Sequence, residues 1–325
     1  MSAPLLSVVV ITPFGFAHVR KAVRHFRAQT IAASLELIIV VCHADSLADA
    51  RAGELEGFAA VQVLPVGPIP SIDVAATHGF NAALAPLIAY SDDHAYVRPD
   101  WAEALVKAFE GPWVAVGTTL ENANPATAWS WVNLICSYGW WAEGAAGGEC
   151  DNLPGHNVTF RRETLFAFAG GPLPPQTLRR ESGLLAKLRS RGGRLALASA
   201  ARSRHMNAAT MSSTGLVRFN MGRYYGHHRA LNSAWSWPMR LLYILGFPLI
   251  PIVRLLRMRT EMGGTLALGG LRIYPALFVG LMFDAIGQAV GYGFGPGDSL
   301  HVLENYEVRL RRYVTPAEAV AMDDA

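Results

Sequence analysis

Residues 5–12, LLSVVVIT, are apolar at nearly every position, a β-branched run ended by Pro13 and Gly15. The next segment, AHVRKAVRHFRAQ, changes period. Val19, Val23 and Phe26 recur at helical spacing, with Arg20, Lys21, Arg24 and Arg27 on the opposite side. The alternation continues with the strands LELIIVV, VQVL, LIAYS and WVAVGT, and with helices near 74–85 and over PDWAEALVKAFE. Apolar strands between amphipathic helices predict an α/β fold, a mostly parallel sheet covered by helices on both faces. Ligands of such sheets bind at the carboxyl ends of the strands. The stretch SDDH, residues 91–94, stands at one such end.

Residues 120–210 break this rhythm. They hold the tryptophan-rich ATAWSWVNLICSYGWW, a glycine-rich loop at 144–148, the turn NLPGHN, a helix near 179–191 and the strand RLALAS. They read as an acceptor-side elaboration of the same domain, giving a first domain over 1–210. From 211 to 325 the chain becomes apolar and arginine-rich. PMRLLYILGFPLIPIVRLLRMR is interrupted by Pro248 and Pro251, and LRIYPALFVGLMFDAIGQAVGYGFGPG by Asp284 and several glycines. Short, proline-kinked apolar segments flanked by arginine suit a helical region that lies on a membrane or re-enters it, more than a simple span; a buried helical hairpin in a soluble protein is the alternative.

Charge sharpens that reading. The net charge over all 325 residues is only +3, too weak for wholesale nucleic-acid binding. Between Leu216 and Arg272, however, eight arginines face one acid, Glu261. An asymmetry of this kind points to an anionic surface as partner. Cys42, Cys136 and Cys150 form no CxxC pair and no disulfide framework, in keeping with a reducing cytosol. The apolar N-terminus has no basic leading region and reads as a buried strand, not a signal peptide. No GxGxxG follows the first strand, and neither a phosphate-binding loop of Walker type nor a GxSxG elbow is present.

Asp92, Asp93 and His94 at a strand end offer two carboxylates and an imidazole, a set able to hold a hard divalent cation against a diphosphate. By itself an acidic turn after a strand is commonplace. The wider arrangement carries more. A strand ending in TPFG, the stretch SDDHAYVRPDW, then ENANPATAWSWVNLICSYGWW, LPGHNVTFRRETL and ESGLLAKLRSRGGRLALASAARSRHMN together resemble the family 2 glycosyltransferases of the GT-A fold. Within that family they resemble a bacterial subgroup whose acidic motif ends in histidine and whose C-terminal region associates with membranes. The resemblance covers about residues 5–210.

It implies a role for each matching position. Glu181 would be the catalytic base that deprotonates the acceptor. Thr12, Pro13, Asp92 and Asp93 would bind the nucleotide-sugar, with Asp45 reaching the base from a shifted position. Asp93, His94 and His205 would hold a divalent metal, Mn²⁺ or Mg²⁺, with Arg202 and Arg204 near a phosphate. His156, Asn157 and Trp140 would meet the acceptor. Two departures stand out: the second strand runs into Cys42-His43-Ala44-Asp45 instead of ending in an acid, and Asp-Asp-His replaces Asp-x-Asp, a change that either favours Mn²⁺ over Mg²⁺ or weakens metal dependence altogether.

The implied activity is inverting transfer of a sugar from a nucleotide-diphosphate donor to a lipid-linked or saccharide acceptor in cell-envelope glycan synthesis. The implied location is the cytoplasmic face of the bacterial inner membrane. A non-catalytic nucleotide-sugar-binding membrane scaffold and a nucleotidyltransferase are the alternatives.

Overall fold

The computed structural model describes residues 3–179 and 182–323, which fall into two compact units. Of the described residues, the first comprises 3–121, 146–179, 182–205 and 320–323, and the second 122–145 and 206–319.

The first unit opens with β1 (Leu6–Thr12), α1 (Phe16–Arg27), β2 (Leu35–Val41) and β3 (Ala60–Pro65). It continues with α2 (Ile72–Ala82), β4 (Leu87–Tyr90), β5 (Ala95–Val97), α3 (Trp101–Ala108) and β6 (Trp113–Asn122). After α4 (Ala128–Tyr138), which belongs to the second unit, come β7 (Gly148–Cys150), β8 (Val158–Arg161), α5 (Arg162–Ala169), α6 (Leu184–Ser190) and β9 (Arg194–His205).

Among the described residues one sheet has the order β3-β2-β1-β4-β8-β6-β9-β5, with β7 also paired to β9. Strands β3, β2, β1 and β4 are parallel, and β8 joins β4 antiparallel. Every residue of β1 and β2 is buried, as continuous apolar strands covered on both faces should be. Strand β3, at the edge, is only half-buried.

Helix α1 lays Phe16, Val19, Ala22, Val23 and Phe26 on this core. Its first turn is capped from afar, because Asp49 accepts the amides of Phe16 at 3.1 Å and Ala17 at 2.9 Å. Helix α2 lies so close to β1 that a Cβ on Gly79 would fall 2.4 Å from Val9 Cγ1. Beneath the sheet a fully buried carboxylate, Glu36, is satisfied by Ser7 Oγ, by Gln62 Nε2 at 2.6 Å and by the Leu84 amide at 2.8 Å.

The second unit is helical: α4, α7 (Met211–Asn232), α8 (Trp237–Leu245), α9 (Ile250–Glu261), α10 (Gly263–Gly269), α11 (Tyr274–Phe294) and α12 (Ser299–Val308). Helices α7 and α11 touch backbone to backbone. A Cβ on Gly222 would lie 2.0 Å from Asp284 O, one on Gly287 2.0 Å from Phe219 O, and one on Gly291 2.2 Å from Arg223 O. Gly222 and Gly226 on α7, and Gly287 and Gly291 on α11, are each four residues apart. They form the small-residue stripes that let helices approach this closely. Contacting positions rise together along both helices, so α7 and α11 run parallel.

Residues Leu271–Phe294 are long and apolar enough to cross a membrane; Trp237–Leu245 and Phe247–Glu261 pass that test together but are bent by 52°. This bent pair exposes Leu242, Leu245, Leu249, Val253 and Leu256, each more than half accessible.

Candidate metal and diphosphate site

Strand register assembles the site. The order β3-β2-β1-β4 reverses direction of winding at β1 and β4, and Asp92 follows the end of β4 by two residues. Tyr90 pairs with Val158 on antiparallel β8, which brings His156 and Asn157 to the same edge. Ala95 on β5 pairs with His205 at the end of β9. Segments far apart in the chain thus deliver one aspartate, one asparagine and three histidines to the carboxyl ends of the parallel strands.

Among the described residues one group has metal-ligand spacing: Asp92, His94 and His205, all buried, with their ligand atoms within 4.8 Å of one another. His205 Nε2 lies 3.6 Å from Asp92 Oδ2, and the two imidazole rings meet edge to face at 4.8 Å between centroids. Metal bonds of about 2.1 Å hold adjacent ligands roughly 3–4 Å apart, so a bound ion would draw the three slightly inward. One carboxylate and two imidazoles suit Mn²⁺ or a similar ion, with open positions left for phosphate oxygens.

Asp93 stands beside this group. It is not a member of the cluster; its Oδ1 lies 2.7 Å from His94 Nδ1. That contact commits Nδ1 to the carboxylate and makes Nε2 the ligating nitrogen in any metal complex. A carboxylate behind a ligating histidine is the usual outer-shell arrangement.

Asp92 is held from behind. Asn157 Nδ2 donates to its Oδ2 at 2.8 Å, and His156 Nδ1 lies 3.1 Å from Oδ1. The His156 contact is poorly aligned for a hydrogen bond and acts chiefly through charge. On its other side His156 Nε2 is 3.3 Å from Asp73 Oδ1, in the first turn of α2. Burial alone would raise the Asp92 pKa. The charge and contact of His156, then His205 and His94, outweigh it and hold the carboxyl well below its ordinary value. Burial would likewise lower His156, but Asp92 and Asp73 together push it well above the usual histidine value. An imidazolium bridging two carboxylates therefore backs the cluster and keeps Asp92 ionised.

The other expected site residues are placed as follows. Thr12 ends β1, and its hydroxyl donates to Gly15 O at 2.7 Å to close the turn that contains Pro13. Asp45 is exposed on the short 3₁₀ turn after β2. Trp140 belongs to the second unit, where its indole N–H lies 3.3 Å from Glu261 Oε2. Glu181 lies outside the described residues. Arg202 and Arg204 alternate away from His205 and gather with Arg98 on the buried Glu121, so they face the opposite side of β9.

No protein-family model matches the chain, and no curated protein does. Among solved structures, TarS 1–349 of S. aureus is similar at 11% identity and a TM-score of 0.46, over 66% of this chain and 63% of that one. The same TarS fragment with UDP-GlcNAc gives 12% identity and a TM-score of 0.47, over 63% and 59%. GalNAc-T7 with UDP, GalNAc and Mn²⁺ gives 15% and 0.44, over 63% and 44%. The chain thus spans less than two thirds of each of these structures, and likeness at this distance assigns neither family nor activity.

Proposed function

We propose that the protein is an inverting, metal-assisted glycosyltransferase of GT-A type. It moves a sugar from a nucleotide-diphosphate donor to a hydroxyl or phosphate of a lipid-linked or membrane-proximal acceptor, at the cytoplasmic face of a bacterial inner membrane. The observation that carries this reading is the buried Asp92–His94–His205 cluster at the carboxyl ends of the strands, beside the β1–β4 reversal where α/β sheets bind their ligands. A divalent cation there would neutralise the diphosphate and make it a better leaving group.

The chain's own residues do the rest. Asp93 fixes the ring of His94, while His156 and Asn157 hold Asp92 ionised and oriented. The resemblance assigns the base to Glu181. In that step the acceptor oxygen bonds the anomeric carbon as the bond to the diphosphate oxygen breaks, and the hydroxyl proton passes to the carboxylate. The exposed leucines of α8 and α9, with Arg240, Arg257 and Arg259 among them, supply an apolar face with cationic flanks. Such a face suits an anionic bilayer surface.

The test uses the full-length protein in nonionic detergent with a panel of UDP-, GDP- and dTDP-sugars and Mn²⁺ or Mg²⁺. One donor should be hydrolysed slowly or transferred, and His94→Ala should remove that turnover while leaving thermal unfolding cooperative. Absence of turnover and of metal-dependent donor binding across the panel would refute the reading.

A further inference from the structure

Within the helical unit lies a charge that its neighbours do not balance. Arg218, on α7, is 1% accessible, and among the described residues it forms no ion pair with a carboxylate. Its Nη2 donates to Ser137 Oγ at 2.8 Å, it contacts the Cys136 thiol, and its Nε is buried with no hydrogen-bond partner. Cys136 is within electrostatic reach of Arg254 on α9 and Asp284 on α11 as well. Asp284, itself 4% accessible, is fully engaged elsewhere. Arg254 Nη1 lies 2.7 Å from its Oδ2, and Gln288 Nε2 donates to its Oδ1 at 2.8 Å. Asp284 thus pairs with Arg254, and among the described residues no carboxylate forms an ion pair with Arg218.

A lysine or histidine in this position would lose its proton, but a guanidinium does not. Ser137 is in the last turn of α4, whose carboxyl end contributes about half a negative charge, less than the full unit needed. An uncompensated buried cation costs several kcal/mol, a penalty that an incoming anion removes. Arg254 and Ser137 are both partly accessible and mark the side from which such an anion would enter. Ile252, Val253 and Leu256, which flank Arg254 on α9, are each about half exposed or more.

We propose that Arg218, Arg254 and Ser137 bind the phosphate head of an amphiphile whose hydrocarbon tail lies along the exposed face of α9. The assignment rests on the proposed lipid-linked acceptor for its biological sense and on the charge balance for its chemistry. The guanidinium pair supplies charge-assisted donors to phosphate oxygens, the arrangement for which arginine is best suited.

The test is a thermal-shift and calorimetric titration of the full-length protein in nonionic detergent with dodecyl phosphate, inorganic phosphate and dodecanol. Dodecyl phosphate should stabilise the protein, and Arg218→Met should weaken its binding at least about tenfold. The unliganded variant should be no less stable than the wild type, because the substitution removes an unbalanced charge. Should that variant fail to fold, Ser137→Ala is the second probe and should weaken dodecyl phosphate several-fold.

The proposal is overturned if dodecyl phosphate gives no shift, or if the folded variants bind it as tightly as the wild type. It is also overturned if inorganic phosphate or dodecanol binds equally well. Donor and Mn²⁺ binding to the wild type are measured separately, so a failure there counts against the transferase reading and leaves this site standing.

Discussion

Asp93 Oδ1 lies 2.7 Å from Nδ1 of His94, its own neighbour in the chain, and so fixes the ring of a residue whose other nitrogen belongs to the Asp92–His205 cluster. In the proposed metal site the two adjacent aspartates would have separate tasks, Asp92 as ligand and Asp93 as support. Asp93→Asn should weaken Mn²⁺ binding by about 10–100-fold, the usual cost of losing an outer-shell carboxylate. Asp92→Asn or His205→Ala should remove binding altogether. Calorimetric titration of the purified protein with Mn²⁺ distinguishes the two outcomes, and equal loss in all three variants would make Asp93 a ligand after all.

His156 stands between the carboxylates of Asp92 and Asp73. Replacing it with glutamine removes the cation and leaves two acids facing one another, one of them deeply buried. The expected cost is about 3 kcal/mol of folding stability. Adding Asp73→Asn to the variant should restore part of that loss, since the two positions act on one network. Urea midpoints of the two single variants and the double variant test this. Strict additivity would show that the bridge has no energetic role.

His25 supplies a pH dependence away from the metal cluster. It stacks on Tyr96 and donates from Nδ1 to Val97 O at 3.0 Å. Burial lowers its pKa first and foremost. The Val97 carbonyl opposes this, and the charges of Lys21, Arg204 and Arg24 reinforce it. A histidine depressed in the folded state contributes stability that is fully present above its unfolded value of about 6.5 and is lost as pH falls through its folded value. Urea midpoints should therefore decline as pH drops below about 6.5, and His25→Gln should flatten that slope. An unchanged slope in the variant would assign the effect to another group.

Gly222 meets α11 at a distance no side chain can occupy. Gly222→Ala should cost about 3 kcal/mol or more through overpacking. Gly263→Ala, where a methyl group meets nothing within 4 Å, should be close to neutral. Thermal unfolding of the two variants side by side checks the contrast.

How much of this was legible beforehand differs from one part to the next. The parallel strands were, because β1 and β2 are buried on both faces and so are apolar at nearly every position. Asp92 and His94 were legible as a polar break at the end of LIAY. His205 was visible only as a lone histidine after a strand. Asp73 was not visible, because an acid in the first turn of a helix reads as a partner of the helix dipole. Its role depends on α2 and the turn before β8 converging, which no local pattern encodes. Asn157 adopts φ +58, an uncommon conformation for a residue with a side chain, and turns its amide onto Asp92. The turn itself was readable in PGHN; the direction its side chains take was not.

The same-direction course of α7 and α11 has a consequence for the segment that joins them. Two antiparallel helices can be linked by a few residues, but two parallel ones require the chain to travel back the length of the first, about 33 Å for 22 residues. The bent leucine-bearing stretch of α8 and α9 is that return journey. It is tethered at both ends to helices locked by glycine contact, so its outward face is set by the clamp and not by its own folding. A segment built this way has no free end from which to peel; it must leave any surface it meets all at once or stay.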